Sequence, residues 1–490
     1  MRCVVFGATG YIGGRLVPEL VAAGHSVRVM VRNPGKLDEV PWHDDVEIVA
    51  GDVTDPTAVT AALENREVLY YLVHSLTQRD FVDIDRRAAR IVATAALTAG
   101  LSRIVYLGGI IPKGERLSPH LSSRAEVGEI LLGSGVPTVE FRAAVIIGSG
   151  SASFEMLRYL SERLPAMITP RWVRNRIQPI AIRDVLYYLT HAGKLGPQVN
   201  RSFDIGGPDV LTYLDMLRRY SVIAKLPRRA VVPVPVLTPW LSAQWVNLVT
   251  PVPRAIAVPL IESLVHEVVC GDHDIAEYLP DPPEGLTGFE RAVELALARI
   301  RDFDVPTRWS DADTPGAPSD PLPSDPDWSG GTLYQDVRER HTDAAPETVW
   351  QVIESIGGEH GWYSFPLAWS IRGWIDRLAG GAGLRRGRRD PHRLRAGEAL
   401  DWWRVEHIER PRLLRLRAEM RVPGDAWLEL SAEPEPGGGT IYRQRAVFEP
   451  RGLSGHAYWK AISPFHEIVF GGMVRNITGT AESTDRQRDS

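Results

Sequence analysis

The sequence predicts an α/β protein in which a doubly wound parallel sheet, with helices on both faces, is followed by a smaller α+β domain. Three observations predict this fold class. Short Val- and Ile-rich runs alternate with helix-length amphipathic segments over about the first 300 residues, as in βαβ units. A glycine-rich turn joins the first such run to the first such segment. Beyond residue 331, polar and apolar residues alternate in LRLRAEM and AWLELSAE, which indicates antiparallel strands.

The composition excludes several function classes. The chain has 490 residues, of which 44% are hydrophobic and 24% charged, and a formal net charge of −5. It is long enough for two or more globular domains and has no overall positive charge that favours nucleic acid. Cys3 and Cys270 are its two cysteines, which excludes a disulfide framework and, with no secretory leader pattern at the N-terminus, predicts a cytoplasmic location. The apolar stretch 233–265 is interrupted by six prolines, so no transmembrane helix is predicted there.

Composition also predicts the domain boundaries. Residues 305–331 are rich in Pro, Asp, Ser and Gly and are predicted to be a linker, because such a segment cannot bury a core. It follows a first domain at 1–304, in which the part from about residue 150 onward is expected to supply the substrate side. A second domain is predicted at 332–480, and residues 481–490 are predicted to be a disordered tail.

The first strand and helix are predicted on either side of GATGYIGG. Gly7, Gly10 and Gly13 recur every three residues between RCVVFG and an amphipathic helix. Glycines permit a tight turn there, and the helix N-terminus offers N–H groups to a pyrophosphate. A structural turn without a ligand is the alternative, but the strand-turn-helix context favours a dinucleotide. The candidate cofactor-binding residues of this turn are Gly7, Thr9, Gly10, Tyr11, Ile12 and Gly13.

The second and third predicted strands, SVRVMVR and VEIVAGD, select the nucleotide. Arg32 stands where NAD sites usually carry an acidic residue, and Lys36 follows. A cation there suits a 2′-phosphate, so NADP(H) is favoured over NAD(H). Asp52 and Val53, directly after the third strand, are candidates for the adenine edge. A solvated loop charge is the alternative for either cation, and the preferred one for Lys36.

The fourth and fifth predicted strands, EVLYYLV and RIVYLGG, are followed by further candidates. His74 and Ser75 end the fourth strand at the carboxyl edge, where ligands bind in such sheets; a purely structural role is the alternative. After the fifth strand, His120 and Arg124 lie four residues apart at the start of a helix, so both side chains share one face. Ser118 and Pro119 suit the N-cap and the first helical position, placing His120 in the first turn, where the helix dipole disfavours imidazolium.

These motifs resemble those of a known family. GATGYIGG, GDVTDP, VYLGGI, RAEVGEILLGSGVPTVEFR and FDIGGPDVLTY are similar to the extended or atypical short-chain dehydrogenases and reductases, in particular the NmrA-like, NAD(P)-binding branch with its Rossmann fold. The resemblance covers about the first 300 residues. Such enzymes carry Tyr-x-x-x-Lys after strand five and a Ser near the end of that strand. The alignment puts His120 at the tyrosine position, Arg124 at the lysine position, and Gly108 or Gly109 at the serine position.

Two function hypotheses follow from the resemblance and its departures. The first is an NADP(H)-dependent oxidoreductase acting on an apolar carbonyl, quinone or enone-like substrate, with His120 and Arg124 as catalytic candidates. Arg124 suits the nicotinamide ribose hydroxyls, and a neutral His120 suits an electrophile or acid, with a structural role as the alternative. The second is a non-catalytic NADP(H)-binding redox sensor or scaffold, which the altered positions permit.

The second domain is similar to a domain of unknown function that is fused to such Rossmann domains in bacterial proteins. Its opening, YQDVRERHTDAAPETVW, resembles the helix-grip, START-like superfamily, which implies a curved sheet around an apolar cavity. Nine of the fourteen tryptophans lie from residue 328 onward, and they suit either a ligand cavity or an aromatic core. The arginine cluster at 385–389 suits a phosphate, a carboxylate or peripheral membrane contact, or else a solvated loop. No metal-ligand spacing is present, and no metal site is predicted.

Overall fold

The computed structural model describes residues 1–38, 40–75, 78, 80–112, 117–163, 166–169, 171–226, 230–233, 252–302, 333–357, 362, 393–420 and 422–488. The chain divides into two compact units, Met1–Gly331 and Thr332–Ser490. The predicted linker and the arginine cluster lie outside the described residues, as do Trp328, Trp369 and Trp374.

The first unit alternates strands and helices along the chain. Its strands are β1 (Arg2–Phe6), β2 (Ser26–Val31), β3 (Glu47–Ala50), β4 (Val68–Tyr71), β5 (Arg103–Gly109), β6 (Thr138–Ala143), β7 (Ile146–Ile147), β8 (Ala166–Thr169), β9 (Arg176–Ile177), β10 (Ile180–Ala181), β11 (Arg201–Ile205), β12 (Leu211–Thr212) and β13 (Ala230–Pro233). Its helices are α1 (Tyr11–Ala22), α2 (Pro56–Leu63), α3 (Phe81–Ala99), α4 (Pro119–Leu132), α5 (Ala152–Arg163), α6 (Ile182–Ala192), α7 (Tyr213–Ile223), α8 (Arg254–Leu264) and α9 (Phe289–Asp302). Short 3-10 helices lie at Pro34–Leu37, His43–Asp45, Arg171–Arg174 and Asp274–Glu277.

The main sheet has seven strands in the order β11-β6-β5-β4-β1-β2-β3. Every pairing in it is parallel. Val- and Ile-rich runs of the sequence supply six of its seven strands. The predicted doubly wound sheet is therefore confirmed. The chain proceeds in opposite directions from the β1–β4 pair, so a crevice opens at the carboxyl ends of these strands, where such sheets bind ligands.

Buried apolar residues explain the layers around this sheet. Every residue of β4 is buried, as expected for a strand covered on both faces. One face packs against α1 and α6, with Val5, Leu16 and Leu189 in its core. The other face packs against α2, α3 and α4, with Val92 and Leu131 in its core. A third apolar cluster joins α5, α7, α8 and α9 on the side of the carboxyl edge.

The second unit is an antiparallel sheet with a long helix against it. Its strands are β14 (Tyr334–Thr342), β15 (Ala399–Leu400), β16 (Trp403–Glu409), β17 (Leu413–Ala418), β18 (Gly424–Pro434) and β19 (Thr440–Pro450), and its helices are α10 (Pro346–Glu354) and α11 (Gly452–Arg488). The sheet order is β14-β19-β18-β17-β16-β15, with antiparallel pairing throughout, and α11 packs on β14, β19 and α10. The separate α+β domain is thus confirmed, while its START-like character stays a prediction.

The C-terminal helix corrects one predicted boundary. The disordered tail predicted at 481–490 is helical as far as Arg488. Ala481 is fully buried. Glu482 accepts a hydrogen bond from the Thr342 hydroxyl at 2.8 Å, and Asp485 accepts one from the Ala345 N–H at 2.7 Å. The charged composition indicated disorder, but these carboxylates bind the start of the domain.

The described tryptophans of this unit are mostly core residues. Trp350, Trp362, Trp402 and Trp403 are buried together in its hydrophobic cluster, and the rings of Trp362 and Trp402 stack with centroids 5.7 Å apart. Trp459 stacks on Tyr334 and on Phe448, at 5.2 and 5.7 Å. Trp427 is half-buried. An aromatic core accounts for these positions, and the predicted ligand cavity stays a prediction.

Candidate nicotinamide site

The glycine turn after β1 has the geometry of a dinucleotide cradle. Gly7 has φ +95°, a conformation that favours glycine, and its carbonyl accepts the Gly10 N–H at 3.0 Å. A Cβ on Gly13 would lie 2.2 Å from that same carbonyl oxygen. α1 begins directly afterwards, with Gly10 as an N-cap that provides no side-chain hydrogen bond. The first N–H groups of α1 therefore adjoin the crevice, where a pyrophosphate fits.

The neighbouring residues of the turn differ in their surroundings. Thr9 is half-buried, whereas Tyr11 and Ile12 line a cavity described below. Arg15, which the sequence did not single out, donates to the Tyr11 carbonyl at 3.1 Å, and its guanidinium carbon lies 4.1 Å from the centre of the Tyr11 ring. This contact fixes Tyr11 at the start of α1.

The adenosine end contains the predicted charges. Arg32 and Lys36 are exposed, and Asp52 follows β3. Burial raises the pKa of Asp52, but hydrogen bonds from Thr54 and the positive charges of Arg32 and Arg87 outweigh it, so the net pKa is lowered. Arg32 and Asp52 therefore share this end of the crevice.

Two neighbours of Asp52 have structural contacts. Thr54 donates to the Asp52 carboxylate through its N–H and its hydroxyl, at 2.8 and 2.7 Å. Val53 is half-buried and packs against the core under α3. Its side chain therefore supports the loop after β3.

His74, at the carboxyl end of β4, joins a chain of hydrogen bonds. Its Nδ1 lies 2.6 Å from Oδ2 of Asp85, and its Nε2 lies 3.0 Å from Nδ1 of His120. The N–H of Ser75 donates to Oδ1 of the same carboxylate at 3.1 Å. The sequence placed His74 and His120 in the site separately, and the structure brings their rings into contact.

Asp85 was missed at the sequence level. It is 3% exposed and lies on the buried stripe of α3 with Ala88, Ala89, Val92 and Ala96. A carboxylate within an apolar stripe is costly unless it is paired. That position was the signal that could have identified it.

Burial keeps both imidazoles neutral. It lowers the pKa of His120 to about 2, with further repulsion from His74 and Arg124. Burial also lowers the pKa of His74, and the hydrogen bond to Asp85 only partly opposes this.

The predicted Ser118 cap and Pro119 start of α4 are confirmed, because the Ser118 hydroxyl accepts the Leu121 N–H at 3.2 Å.

Arg124 is held at the carboxyl end of β5. Its guanidinium donates to the Leu107 carbonyl at 2.6 Å and lies 5.4 Å from the centre of the Tyr106 ring. The Tyr106 hydroxyl donates to the Arg124 carbonyl at 3.2 Å. One face of the helix thus presents His120 and Arg124 together, as their spacing predicted.

The two glycines at the serine position are not equivalent. A Cβ on Gly108 would lie 2.8 Å from Oε1 of Glu140, a residue that is 1% exposed. A Cβ on Gly109 would lie 3.3 Å from Cδ2 of Leu121, a methyl group that can shift. A side chain is therefore blocked at Gly108 and accommodated at Gly109.

A cavity of about 260 Å³ connects these elements. Tyr11, His74, His120 and Arg124 line one part of it. Most of the remaining lining is apolar, and the region after residue 150 supplies much of it: Met156, Tyr213, Leu260, Leu264 and Val268. Leu260 and Leu264 come from α8, the described part of the Pro- and Trp-rich stretch 233–265, whose residues 234–251 lie outside the described residues.

The described part of the chain has neither a metal-binding cluster nor a membrane-spanning helix. No group of three or more His, Cys, Asp or Glu residues there is arranged to hold a metal ion. None of the helices described above combines the length and apolarity needed to cross a membrane.

Two family models match the chain. Residues 7–130 match a family described as "NAD(P)H-binding", which includes the glycine turn, His74, His120 and Arg124. Over these residues the N-terminal unit is similar to NAD(P)H-binding domains. Residues 328–473, in the second unit, match a "Protein of unknown function (DUF2867)".

Individual relatives match parts of the chain. A ceramide reductase of Caulobacter vibrioides is 28% identical over 169 residues, which is 33% of this chain and 52% of that protein. The sterol demethylase protein B of Methylococcus capsulatus is 32% identical over 124 residues, 23% of this chain and 38% of that protein. The chain thus spans about half or less of these relatives. A triphenylmethane reductase of Citrobacter sp. has the same fold, with a TM-score of 0.50, 19% identity, and coverage of 61% of this chain and 100% of that one.

Proposed function

We propose that the NAD(P)-binding unit is an NADP(H)-dependent oxidoreductase for an apolar carbonyl, quinone or enone-like substrate. The observation that carries this proposal is the cavity, which joins the first turn of α1 to His120 and Arg124 and is otherwise mostly apolar. Substrate pockets are typically apolar with a few convergent polar groups. Such a pocket beside a dinucleotide cradle suits hydride exchange with a greasy molecule.

The residues present fit a nicotinamide dinucleotide. Gly7, Gly10 and Gly13 allow close backbone packing between the turn, the residue after β4 and the start of α1. The first N–H groups of α1 would then bind the pyrophosphate, and a bound nicotinamide supplies or accepts hydride. Arg124 would orient the ribose of that nicotinamide. At the other end Arg32 is exposed beside Asp52, and an exposed guanidinium suits a 2′-phosphate. This favours NADP(H) over NAD(H).

The names of the relatives support an apolar substrate. One is a ceramide reductase and another a sterol demethylase protein, and both names refer to lipids. The alignments cover only part of either protein, so we take from them the substrate class and no particular compound. The C-terminal unit would then bind or deliver the apolar ligand, as its helix-grip resemblance implies.

A second function is favoured by one observation. The tyrosine position of the family is occupied by a buried, neutral His120, which is a poor proton donor at neutral pH. An NADP(H)-binding redox sensor or scaffold needs no proton donor. It predicts tight cofactor binding without turnover.

One experiment separates the two functions. The purified full-length protein is titrated with NADPH and NADH by fluorescence, and NADPH consumption is then followed against apolar ketones, quinones and enones, in the wild type and in His120→Phe. Tight NADPH binding with turnover that His120→Phe abolishes supports the oxidoreductase. Binding without any turnover supports the sensor, and no dinucleotide binding contradicts both.

A further inference from the structure

The hydrogen bonds around His74 assign the tautomers of both imidazoles. A carboxylate only accepts hydrogen bonds, so the proton between Asp85 and His74 belongs to Nδ1 of His74. A neutral His74 then has a bare Nε2, which accepts from Nδ1 of His120. A neutral His120 with its proton on Nδ1 has a bare Nε2. Because Nδ1 faces His74 and the ring lines the cavity, this bare nitrogen is the atom offered to a ligand.

We propose that Asp85, His74 and His120 form a proton relay that accepts the hydroxyl proton of an apolar secondary alcohol bound in the cavity. This inference rests on the proposed function and deepens it. It assigns the alcohol and its ketone as the substrate couple, with His120 as the base and Asp85 as a positioning residue. A ketone oxygen has no proton to donate, so the bare Nε2 of the resting His120 can bind the alcohol but forms no hydrogen bond with the ketone.

The proton half of the reaction balances within the chain. The O–H bond of the alcohol breaks and an N–H bond forms at Nε2 of His120. The N–H bond at Nδ1 of His120 breaks, and one forms at Nε2 of His74, 3.0 Å away. His74 becomes an imidazolium against the Asp85 carboxylate, at 2.6 Å. The hydride that leaves the same carbon is accepted by an oxidised nicotinamide dinucleotide, and the reverse sequence returns the proton to a ketone.

The surrounding charges explain why two imidazoles are needed. Arg124 from α4 opposes a positive charge on either ring. Asp85 from α3 favours a positive charge on His74, whereas His120 has no carboxylate among its described partners. Tyr71 from β4 and Tyr106 from β5 are further titratable groups near Asp85 and Arg124, and burial raises the pKa of both, so they stay neutral. Transfer to His74 therefore moves the proton to the ring whose positive charge the Asp85 carboxylate partly offsets.

An isosteric substitution of the carboxylate tests the relay. In Asp85→Asn, the amide oxygen stays with the Ser75 N–H, which now contacts Oδ1 at 3.1 Å, so the amide NH₂ faces Nδ1 of His74. That nitrogen must then accept, the His74 proton moves to Nε2, and His120 must accept at Nδ1 and carry its proton on Nε2. Both tautomers are expected to reverse without a change of shape, and alcohol oxidation should fall by roughly 10²–10⁴-fold, the contribution of a positioned base.

Nitrogen-15 NMR of histidine-labelled, full-length protein measures this directly, because protonated and bare ring nitrogens have distinct shifts. His74→Gln and His120→Gln assign the signals, and Asp83→Asn, which removes an exposed carboxylate from the same helix, is the matched control. Wild type and Asp83→Asn should show bare Nε2 atoms on both rings. Unchanged tautomers in a folded Asp85→Asn protein would overturn the relay. If that variant does not fold, the wild-type spectrum is the test, and a wild-type His120 with its proton on Nε2 would also overturn the relay.

A ligand pair tests the substrate class. In the wild type, cyclohexanol should shift the His120 Nε2 signal and cyclohexanone should not, and Asp85→Asn should reverse this preference. A wild-type response to the ketone alone, or to neither compound, contradicts the assigned class. Dinucleotide titration runs in parallel: failure to bind NADPH with the predicted tautomers intact refutes the proposed function, whereas tight NADPH binding with the opposite tautomers refutes the relay alone.

Discussion

Replacing Gly13 by alanine should damage the cofactor site although alanine is the better helix former. The added Cβ would lie 2.2 Å from the Gly7 oxygen and 2.8 Å from its carbon, where an ordinary contact begins at 3.4 Å. Both obstacles are backbone atoms, so α1 must move away from the turn by about 1 Å. Such overpacking costs about 1–3 kcal/mol, and alanine returns about 0.8–1.0 kcal/mol of helix propensity. We expect net destabilisation of up to about 2 kcal/mol.

The same displacement should weaken dinucleotide binding more than it weakens the fold. The pyrophosphate needs the first N–H groups of α1 at a fixed distance from the turn, so we expect the Kd for NADPH to rise at least about tenfold, equivalent to 1.4 kcal/mol. The assays are fluorescence titration and urea unfolding followed by circular dichroism. Gly479→Ala is the control, because nothing lies within 4 Å of its Cβ, and it should stabilise α11. A Gly13→Ala protein that unfolds and binds NADPH like the wild type would refute the cradle.

Three further outcomes are expected. Arg32→Ser should weaken NADPH binding by roughly 10- to 100-fold, the loss of a charge-assisted pair, and leave NADH binding unchanged in the same titration; equal losses would contradict the assignment of the 2′-phosphate. Gly108→Ser should lower stability by about 1–3 kcal/mol, because Oε1 of Glu140 lies 2.8 Å from the new Cβ, whereas Gly109→Ser should cost less in parallel thermal melts. Asp336 is half-buried, which raises its pKa, yet hydrogen bonds from His466 and Arg338 lower it to about 2. A carboxylate with a depressed pKa stabilises the folded state at pH values above its unfolded pKa, and this stabilisation is lost as the pH falls from about 4 to 2. Asp336→Asn should therefore lower the free energy of unfolding by about 2 kcal/mol at pH 7 and by almost nothing at pH 2. Asp343→Asn, at an exposed position, is the control, and a loss of stability that does not depend on pH would rule out the linkage.

The main sheet was predictable because each of its signals is local. Six runs of Val and Ile identified six strands, and the glycine spacing located the turn after β1 without any knowledge of contacts. The cap at Ser118 followed from the same kind of rule. The prediction for the tail was wrong for the opposite reason: residues 481–488 contain charged and polar side chains, and their contacts are with the distant Thr342, Ala345 and Thr348.

The chemistry of the site depends on contacts that no local pattern contains. The spacing of His120 and Arg124 predicted that they share a face. Whether His120 offers a proton or a lone pair depends on Asp85, which acts on His120 through His74. Asp85 is 35 positions earlier in the chain and lies within α3. A histidine at the tyrosine position can therefore act as an acid or as a base on the same fold, and the choice is made by a single buried carboxylate. If Asp85→Asn reverses the tautomers, His120 at the tyrosine position would be a residue with a different proton chemistry, and not one that has lost the function of the tyrosine.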